Sequence, residues 1–152
     1  MQGLEIKKVE KGDLAKLLEL YTHLNENPYP EIDKRIADIW ERLLNEKNHY
    51  ILGCYIEEKL VSTCAVTIIE NLTHRQTPYA LIENVVTHPG YRNKGYGSLV
   101  LSAAKDISVK NNCHKIMLMT RSKKESTLNF YKNAGYDPHE KTAFIQRLNT
   151  KQ

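Results

Sequence analysis

Apolar side chains recur along the first part of the chain with two different periods. Residues Leu4–Val9 alternate apolar and polar, as a half-buried strand does. Over residues 13–24, and again over 32–44, apolar residues recur three and four positions apart, which is the spacing of one face of a helix. We therefore expect one strand and two amphipathic helices before the main sheet.

The middle of the chain predicts a hairpin and a further strand. Tyr50–Ile56 and Leu60–Ile69 are typical of paired strands, and residues 57–59 form the turn between them. After a polar loop at 71–78, Tyr79–Thr87 has the composition of the next strand, and a Pro-Gly pair ends it.

The last third predicts two helices, each followed by a strand. A helix is expected over about 95–110, a strand at Lys115–Thr120, a short helix at 128–134 closed by Gly135, and a last strand at Thr142–Leu148. The buried face of the first of these helices is predicted to comprise Leu99, Val100, Ala103, Ala104 and Ile107. Antiparallel hairpins followed by a β-α-β crossover predict a mixed α/β (α+β) sheet rather than a doubly wound one, in one domain over residues 1–152.

A short loop, Arg92–Gly97, lies between the strand Tyr79–Thr87 and the helix predicted over 95–110. At a helix start several backbone N–H groups have no intrahelical partner and lie at the positive end of the helix dipole. Gly95 and Gly97 lack Cβ atoms, so a ligand can come close to those groups. The ligand that best suits this arrangement is a phosphate or pyrophosphate.

Two nucleotide-binding loops do not fit this stretch. A P-loop requires a lysine after its last glycine, whereas Ser98 follows Gly97. A dinucleotide-binding loop requires a third glycine where Val100 stands, and the acidic residue expected after a second strand is missing. A β–α turn that needs glycines only for its own backbone stays an alternative to a phosphate site.

Composition and charge narrow the classes of function. With 152 residues, 41% of them hydrophobic, the chain can bury the core of one domain. A net charge of +4 without a basic-aromatic stripe disfavours nucleic acid as a partner. The sequence contains neither a signal-peptide pattern nor an apolar run of the ~20 residues that a membrane helix needs. Cys54, Cys64 and Cys113 predict reduced thiols in a cytoplasmic protein, and we predict no metal site.

Two signatures in this sequence resemble those of the GNAT superfamily of N-acetyltransferases. Arg92, Gly95 and Gly97 match its coenzyme A motif, Gln/Arg-x-x-Gly-x-Gly/Ala. The stretch Asn129–Tyr136 is similar to its second signature, and residues 81–89 look like its fourth strand and the turn that follows. The resemblance covers nearly the whole chain, although residues 1–75 fit only in pattern.

For the fold, this resemblance implies a single-domain, mostly antiparallel mixed sheet of six to seven strands flanked by four helices, with strands four and five splayed apart. For ligands, it implies acetyl-CoA as acyl donor, its pyrophosphate on the loop N–H groups and its pantetheine arm along strand four. The implied cofactor-binding residues are Val85, Val86, Thr87, Arg92, Asn93, Lys94, Gly95, Tyr96, Gly97, Ser98 and Asn129. The Arg92 side chain either supports the loop or meets a phosphate.

The resemblance further implies direct acetyl transfer to a primary amine. Glu83 is the candidate general base, because a carboxylate in mid-strand among apolar residues is unusual, although an exposed or ion-paired strand glutamate explains it equally. His88 and His114 are alternative bases. Tyr131 occupies the position of the family's general acid. A phenol, with a pKa of about 10, is a weaker acid than a thiol, with a pKa of about 8.5. The alternative role of Tyr131 is therefore a hydrogen bond to the negative charge that develops on the leaving thiolate. An N–H near Val85 would polarise the thioester carbonyl.

The acceptor amine is less well specified. Residues 82–86 and 113–116 resemble segments of glucosamine-phosphate N-acetyltransferases, which implies an amino sugar whose phosphate is held by basic residues near 74–75 or 115–124. A peptide or protein amine, a coenzyme-binding regulatory module and an unrelated partner-binding domain stay as alternatives. Because the last strands of this superfamily often pair between chains, a homodimer is also expected.

Overall fold

The structure, a computed structural model, describes residues 3–25 and 27–149. The chain separates into two compact units, Met1–Leu118 and Met119–Gln152, each of which is described by itself. Among the described residues, every helix is too short or too polar to cross a lipid bilayer.

A five-stranded sheet forms the centre of the first unit, and its strands lie in chain order. The strands are β1 (Leu4–Lys8), β2 (His49–Ile56), β3 (Lys59–Ile69), β4 (Tyr79–Thr87) and β5 (Ile116–Leu118). Strands β1 to β4 pair antiparallel, and β5 pairs parallel to β4. The sheet is therefore mixed and mostly antiparallel, as the sequence predicted.

Three helices surround this sheet, and a fourth lies in the second unit. They are α1 (Leu14–Tyr21), α2 (Lys34–Asn45) and α3 (Tyr96–Lys110), followed by α4 (Glu125–Asn133). The start of α2 is capped by Asp33, whose carboxylate accepts a 2.9 Å hydrogen bond from the Ile36 N–H. At the end of α4, Gly135 has a left-handed φ of 97°, which confirms the predicted C-cap.

The two faces of the sheet are covered by different helices. Ala65 belongs to an apolar cluster that includes Leu17 and Leu20 of α1 and Trp40 of α2. Its neighbour Cys64 projects to the other face and approaches the Val100 carbonyl of α3, with an S···O distance of 3.5 Å. Helices α1 and α2 thus cover one face, which we call the α1/α2 face, and α3 covers the other.

Three expectations about the fold are wrong in detail. The described residues form five strands, not six to seven, because Thr142–Leu148 has no regular structure there and β5 is shorter than Lys115–Thr120. An alternating pattern is a local signal, whereas a strand forms only where a partner accepts its hydrogen bonds. On α3, Leu99 is 37% exposed, while Leu101 takes the buried position beside Val100.

Candidate active site around strand β4 and the start of helix α3

The middle of β4 contains a β-bulge. On β4, Glu83 and Val86 are three residues apart, but their partners on β3, Ala65 and Thr63, are only two apart. Strand β4 therefore holds one extra residue at this point. Asn84 absorbs the change with a left-handed φ of 55°, a conformation that asparagine tolerates better than most residues.

The bulge determines which face of the sheet carries Glu83. Directly opposed residues of antiparallel strands share a face, and the partner of Glu83 is Ala65, on the α1/α2 face. Val86 packs in the same cluster, although strict alternation would put residues three apart on opposite faces. The extra residue removes this conflict. Glu83 consequently lies on the α1/α2 face, where its side chain is exposed.

Only the first part of β4 pairs with β5. The parallel pairing covers three residue pairs and ends where Ile82 meets Leu118. From Glu83 to Thr87, the described ranges provide no further strand on that side of β4. An extended ligand can add to such a stretch as an extra strand, through backbone hydrogen bonds.

A tight 3₁₀ turn, Pro89–Tyr91, follows β4. The ring Nδ1 of His88 accepts a 3.0 Å hydrogen bond from the Gly90 N–H, so the proton of the neutral ring is on Nε2. Burial, helped by the positive charge of Lys59, lowers the pKa of His88 and favours that neutral form. Because this histidine is engaged in the turn itself, it is a weaker candidate for a general base than Glu83.

The side chain of Arg92 supports the loop. Its Nε donates a 3.2 Å hydrogen bond to the Thr87 carbonyl at the end of β4. The ring of Tyr91 is flanked by two cations, with Nζ of Lys59 at 5.2 Å and Nζ of Lys94 at 5.4 Å from its centroid. The loop is thus tied to β4 and surrounded by positive charge.

The start of α3 presents unpaired backbone N–H groups. The first hydrogen bond of the helix runs from the Leu99 N–H to the Gly95 carbonyl at 3.1 Å, so the N–H groups of Tyr96–Ser98 have no intrahelical acceptor. Both Asn93 (φ 60°) and Gly95 (φ 84°) are left-handed, and turns of this kind form concave nests of N–H groups. A Cβ added at Gly95 would have no atom within 4 Å, so the space beside it is open to a ligand. These residues fit the pyrophosphate of a nucleotide-like coenzyme.

The cysteines are poorly suited to nucleophilic catalysis. All three are free thiols, and burial raises the pKa of Cys54 to about 11 and that of Cys64 to about 12. Burial also raises the pKa of Cys113. Since the thiolate is the reactive form, these groups are almost fully protonated at neutral pH.

His114, the other alternative base, lies far from the loop. The ring of His114 stacks on the ring of His74, with the centroids 4.0 Å apart. The backbone N–H of His114 donates a hydrogen bond to the carbonyl of Pro78, the residue just before β4. The loop Arg92–Gly97 follows the opposite end of β4. His114 and the basic residues near 74–75 are therefore separated from the loop by the length of that strand.

The second unit contains the remaining predicted residues. Asn129 is exposed on α4, and Tyr131 follows it two positions later. The ring centroid of Tyr131 is 4.9 Å from that of Phe130 and 6.4 Å from that of Tyr136. Its carbonyl accepts a 3.1 Å hydrogen bond from the Tyr136 N–H. Aromatic packing and the turn after α4 thus fix the direction of this tyrosine within its own unit.

Sequence reasoning missed the bulge of β4 and the left-handed backbone of Asn84 at its centre. The signal was the asparagine itself, because this residue is depleted in strands yet tolerates left-handed backbone. In the parts of the chain that the structure describes, no cluster of three or more histidine, cysteine, aspartate or glutamate residues is arranged to hold a metal ion.

Comparison with known proteins gives a consistent result. The family model described as acetyltransferase (GNAT) family matches residues 14–136. A curated relative, the glucosamine 6-phosphate N-acetyltransferase of Trypanosoma brucei brucei, is 28% identical over 141 residues, which cover 91% of this chain and 92% of that protein.

Solved structures show the same fold. A candidate acetyltransferase from Agrobacterium tumefaciens is 33% identical, with a TM-score of 0.89 over 95% of this chain and 99% of that one. The glucosamine-6-phosphate N-acetyltransferase of Arabidopsis thaliana has a TM-score of 0.79 over 98% of this chain and 99% of that one. At 21% identity, the latter likeness concerns the fold alone.

Proposed function

This chain belongs to the acetyltransferase (GNAT) family. We propose that it transfers the acetyl group of acetyl-CoA directly to the primary amine of a small molecule. The proposed acceptor is an amino sugar such as glucosamine 6-phosphate. The observation that carries the proposal is the continuous path from the bulge of β4, through a loop tied to its end, to the open N–H groups of α3. The acetyltransferase relative from Trypanosoma brucei brucei supports the choice of acceptor.

The donor is held mainly by backbone. The loop from Arg92 to Ser98, including Asn93, Lys94, Gly95, Tyr96 and Gly97, provides N–H groups for the pyrophosphate, and Lys94 adds positive charge. Val85, Val86 and Thr87 provide the stretch of β4 without a β5 partner, along which the pantetheine amides add as a strand. The family resemblance also assigns Asn129, which is exposed on α4, to coenzyme binding.

In this proposal the Val85 N–H and the Glu83 carboxylate act at the bulge of β4. The Val85 N–H polarises the thioester carbonyl, as an oxyanion-hole donor does. Glu83, exposed on the α1/α2 face, takes a proton from the ammonium form of the amine, directly or through water. The amine then attacks the carbonyl carbon, the C–S bond breaks as the C–N bond forms, and the nitrogen releases its second proton to solvent. By the family resemblance, Tyr131 donates a hydrogen bond to the departing CoA thiolate, or donates its proton and regains one from solvent.

Direct transfer is favoured over an acetyl-cysteine route. The raised pKa values of Cys54 and Cys64 leave neither thiol ionised enough to attack a thioester at neutral pH. We accordingly propose a ternary complex of enzyme, acetyl-CoA and amine. The same reduced thiols support a cytoplasmic location.

We propose that residues 1–152 act as one acetyltransferase domain and that the protein forms a homodimer. The family model runs from residue 14 to residue 136, so it spans both compact units. Support for the dimer comes from the second unit, where Phe144 is 90% exposed and Leu148 76% exposed. Large apolar side chains this exposed in one short segment are typical of an interaction surface.

An amine-panel assay that follows release of free CoA tests the proposed function. We expect glucosamine 6-phosphate to be acetylated with kcat/KM at least about tenfold above glucosamine, spermidine and a lysine peptide. Glu83→Gln should lower kcat, because it removes the proposed proton acceptor, whereas Glu70→Gln, at an exposed glutamate after β3, should not. If the lysine peptide were acetylated with the highest kcat/KM, the proposed amino-sugar acceptor would be wrong. Failure of acetyl-CoA to raise Tm would contradict the coenzyme site.

A further inference from the structure

The turn that follows β4 is capped by the side chain of His88. This residue is the N-cap of the 3₁₀ turn Pro89–Tyr91, and because proline has no N–H, the first donor of the turn is the Gly90 N–H. The Nδ1 of His88 accepts a hydrogen bond from that donor at 3.0 Å. A backbone bond of 2.8 Å, from the Tyr91 N–H to the His88 carbonyl, accompanies it. The imidazole therefore takes part directly in holding the turn.

The capped turn determines where the proposed coenzyme loop begins. Arg92 follows the turn directly, and its N–H donates a 3.4 Å hydrogen bond to the Pro89 carbonyl. The ring of His88 packs edge-on against the ring of Tyr91, with the centroids 5.5 Å apart. The Tyr91 ring in turn lies 6.2 Å from the ring of Tyr96, the buried first residue of α3. The imidazole is thus connected, through two aromatic rings, to the helix start proposed to hold the pyrophosphate.

Protonation reverses the role of the capping nitrogen. In the neutral ring Nδ1 is an acceptor, whereas in the imidazolium both ring nitrogens are donors. A protonated Nδ1 at 3.0 Å from the Gly90 nitrogen would place two N–H donors against each other. The ring would have to turn away, and the turn would lose its cap.

The surroundings of His88 favour the neutral ring. The ring of His23, just after α1, lies edge-on to it with the centroids 4.9 Å apart. Burial lowers the pKa of His88, and Lys59, His23 and Arg92 lower it further, against an opposite effect of Glu19 on α1. The other charged side chains that line the same surface pocket are Lys16, Glu57 and Glu58. The capping form therefore predominates at neutral pH.

We propose that His88 is a positioning residue of the coenzyme site, whose neutral imidazole caps the turn before the loop Arg92–Ser98 and whose protonation uncaps that turn and weakens coenzyme binding. The proposal rests on the function proposed above for the identity of the ligand, whereas the cap is a property of the protein alone. It assigns His88 no contact with acetyl-CoA or with the amine.

The direction of the pH effect separates this role from simple charge attraction. A neutral cap predicts that affinity for CoA is complete above about pH 6.5, the ordinary pKa of histidine, and is lost as pH falls through the lowered pKa of His88. An imidazolium that attracted the phosphates of CoA would have the opposite effect, because binding would tighten as pH falls.

Three variants test the proposal. His88→Asn replaces the imidazole by a side chain that also caps at this position but does not titrate. His88→Phe keeps a ring for the edge-on contacts and removes the acceptor. His23→Asn is the matched control, since it makes the same change on the histidine that faces His88. Circular dichroism verifies that each variant is folded at both pH values used.

Calorimetric Kd values for CoA at pH 7.5 and pH 5 measure the consequence for binding. Wild type should match His88→Asn within about twofold at pH 7.5 and bind about fivefold more weakly than it at pH 5, the effect of one lost hydrogen bond. His88→Phe should be about fivefold weaker than His88→Asn at both values, and His23→Asn should follow wild type. Comparison at one pH cancels any protonation of CoA itself. A ratio of wild type to His88→Asn that does not change with pH, or tighter binding by wild type at pH 5, would overturn the proposal.

Nitrogen-15 NMR of the coenzyme-free protein measures the cap without requiring a ligand. The imidazole of His88 should show a protonated Nε2 and an unprotonated Nδ1 at pH 7.5, and the Gly90 amide shift should titrate with the ring in wild type but not in His88→Asn. A Gly90 shift that ignores the titration of His88 would overturn the proposal. If wild type bound no CoA at any pH, the proposed function would fail, while this titration would still decide whether His88 caps the turn.

Discussion

The Tyr55 hydroxyl on β2 donates a 2.7 Å hydrogen bond to the Asp13 carboxylate at the start of α1. Both residues are buried, with Asp13 only 7% exposed. The same carboxylate accepts a 2.8 Å bond from the Glu10 N–H and lies 3.6 Å from Nζ of Lys16. A buried charge is tolerated only when its hydrogen bonds are satisfied, so this pair determines where α1 sits on the sheet.

Removing the Tyr55 hydroxyl should destabilise the whole first unit. Tyr55→Phe leaves a buried carboxylate with one hydrogen bond fewer, which costs ~1–3 kcal/mol in the free energy of unfolding. Urea denaturation at pH 7 measures this loss, with Tyr50→Phe as the control expected to stay within ~0.5 kcal/mol of wild type. Equal losses in the two variants would show that the bond contributes nothing specific.

The same carboxylate should make the protein sensitive to acid. Burial alone would raise the pKa of Asp13, but the Glu10 N–H, the Tyr55 hydroxyl and the Lys16 charge outweigh it, and the pKa is lowered overall. A lowered pKa in the folded state means that the stabilisation is complete above the unfolded-state pKa of about 3.9 and is lost as pH falls through the folded-state value.

Thermal unfolding between pH 6 and pH 2 measures this sensitivity. Wild type should lose more Tm over that interval than Asp13→Asn, which has no charge to protonate at this position. Asp33→Asn, which changes an exposed helix cap, serves as the control. If Tm fell with pH equally in wild type and in Asp13→Asn, the predicted contribution of the Asp13 charge would be contradicted.

The sequence predicted those elements whose limits are marked by local chemistry. β4 has the predicted bounds, and α3 begins within a residue or two of its prediction, because Pro89 and Gly95 interrupt regular structure wherever they occur. The bulge could not be predicted, since it depends on which β3 residues pair with β4. The prediction of a strand at Thr142–Leu148 was wrong, because the alternation of apolar and polar residues does not show whether a partner strand is present.

The site was predicted unevenly for the same reason. The motif predicted Arg92 as a loop residue, but its hydrogen bond to the Thr87 carbonyl depends on how the loop folds back on β4. Glu83 was selected for its apolar neighbours along the chain, whereas its exposure on the α1/α2 face follows from the bulge. Contacts made through backbone register are thus the part of a site that sequence patterns do not contain.

A methyl group at Gly95 should weaken coenzyme binding. Gly95→Ala fits the space around it, but its φ of 84° strains any residue with a Cβ, and the methyl group enters the space proposed for the pyrophosphate. We expect a rise of about tenfold in the Kd of acetyl-CoA, or ~1.4 kcal/mol, by calorimetry. Gly12→Ala, also with no atom within 4 Å and without a left-handed φ, should bind normally. Unchanged affinity in Gly95→Ala would contradict the proposed seat.

Removing the Tyr131 hydroxyl should separate catalysis from coenzyme binding. Tyr131→Phe keeps the ring packing against Phe130 and Tyr136 but removes the group proposed to meet the departing thiolate. We expect kcat to fall about 100-fold, with the Kd of acetyl-CoA within about twofold of wild type. Tyr136→Phe is the control, because the family signature accepts either aromatic residue there. A coenzyme-binding module without turnover would instead show no activity in wild type.

The apolar segment Thr142–Leu148 should be buried between two copies of the chain. In the second unit Phe144 is 90%, Ile145 61% and Leu148 76% exposed, and an exposed apolar segment with a strand-like pattern can pair with the same segment of another chain. Light scattering after size exclusion should give twice the monomer mass for wild type and the monomer mass for the Phe144→Ser, Leu148→Ser double variant. Leu72→Ser, at an apolar residue 85% exposed in the first unit, should stay dimeric. A monomeric wild type at tens of micromolar, or dissociation by the Leu72 change alone, would show that this segment is not the interface.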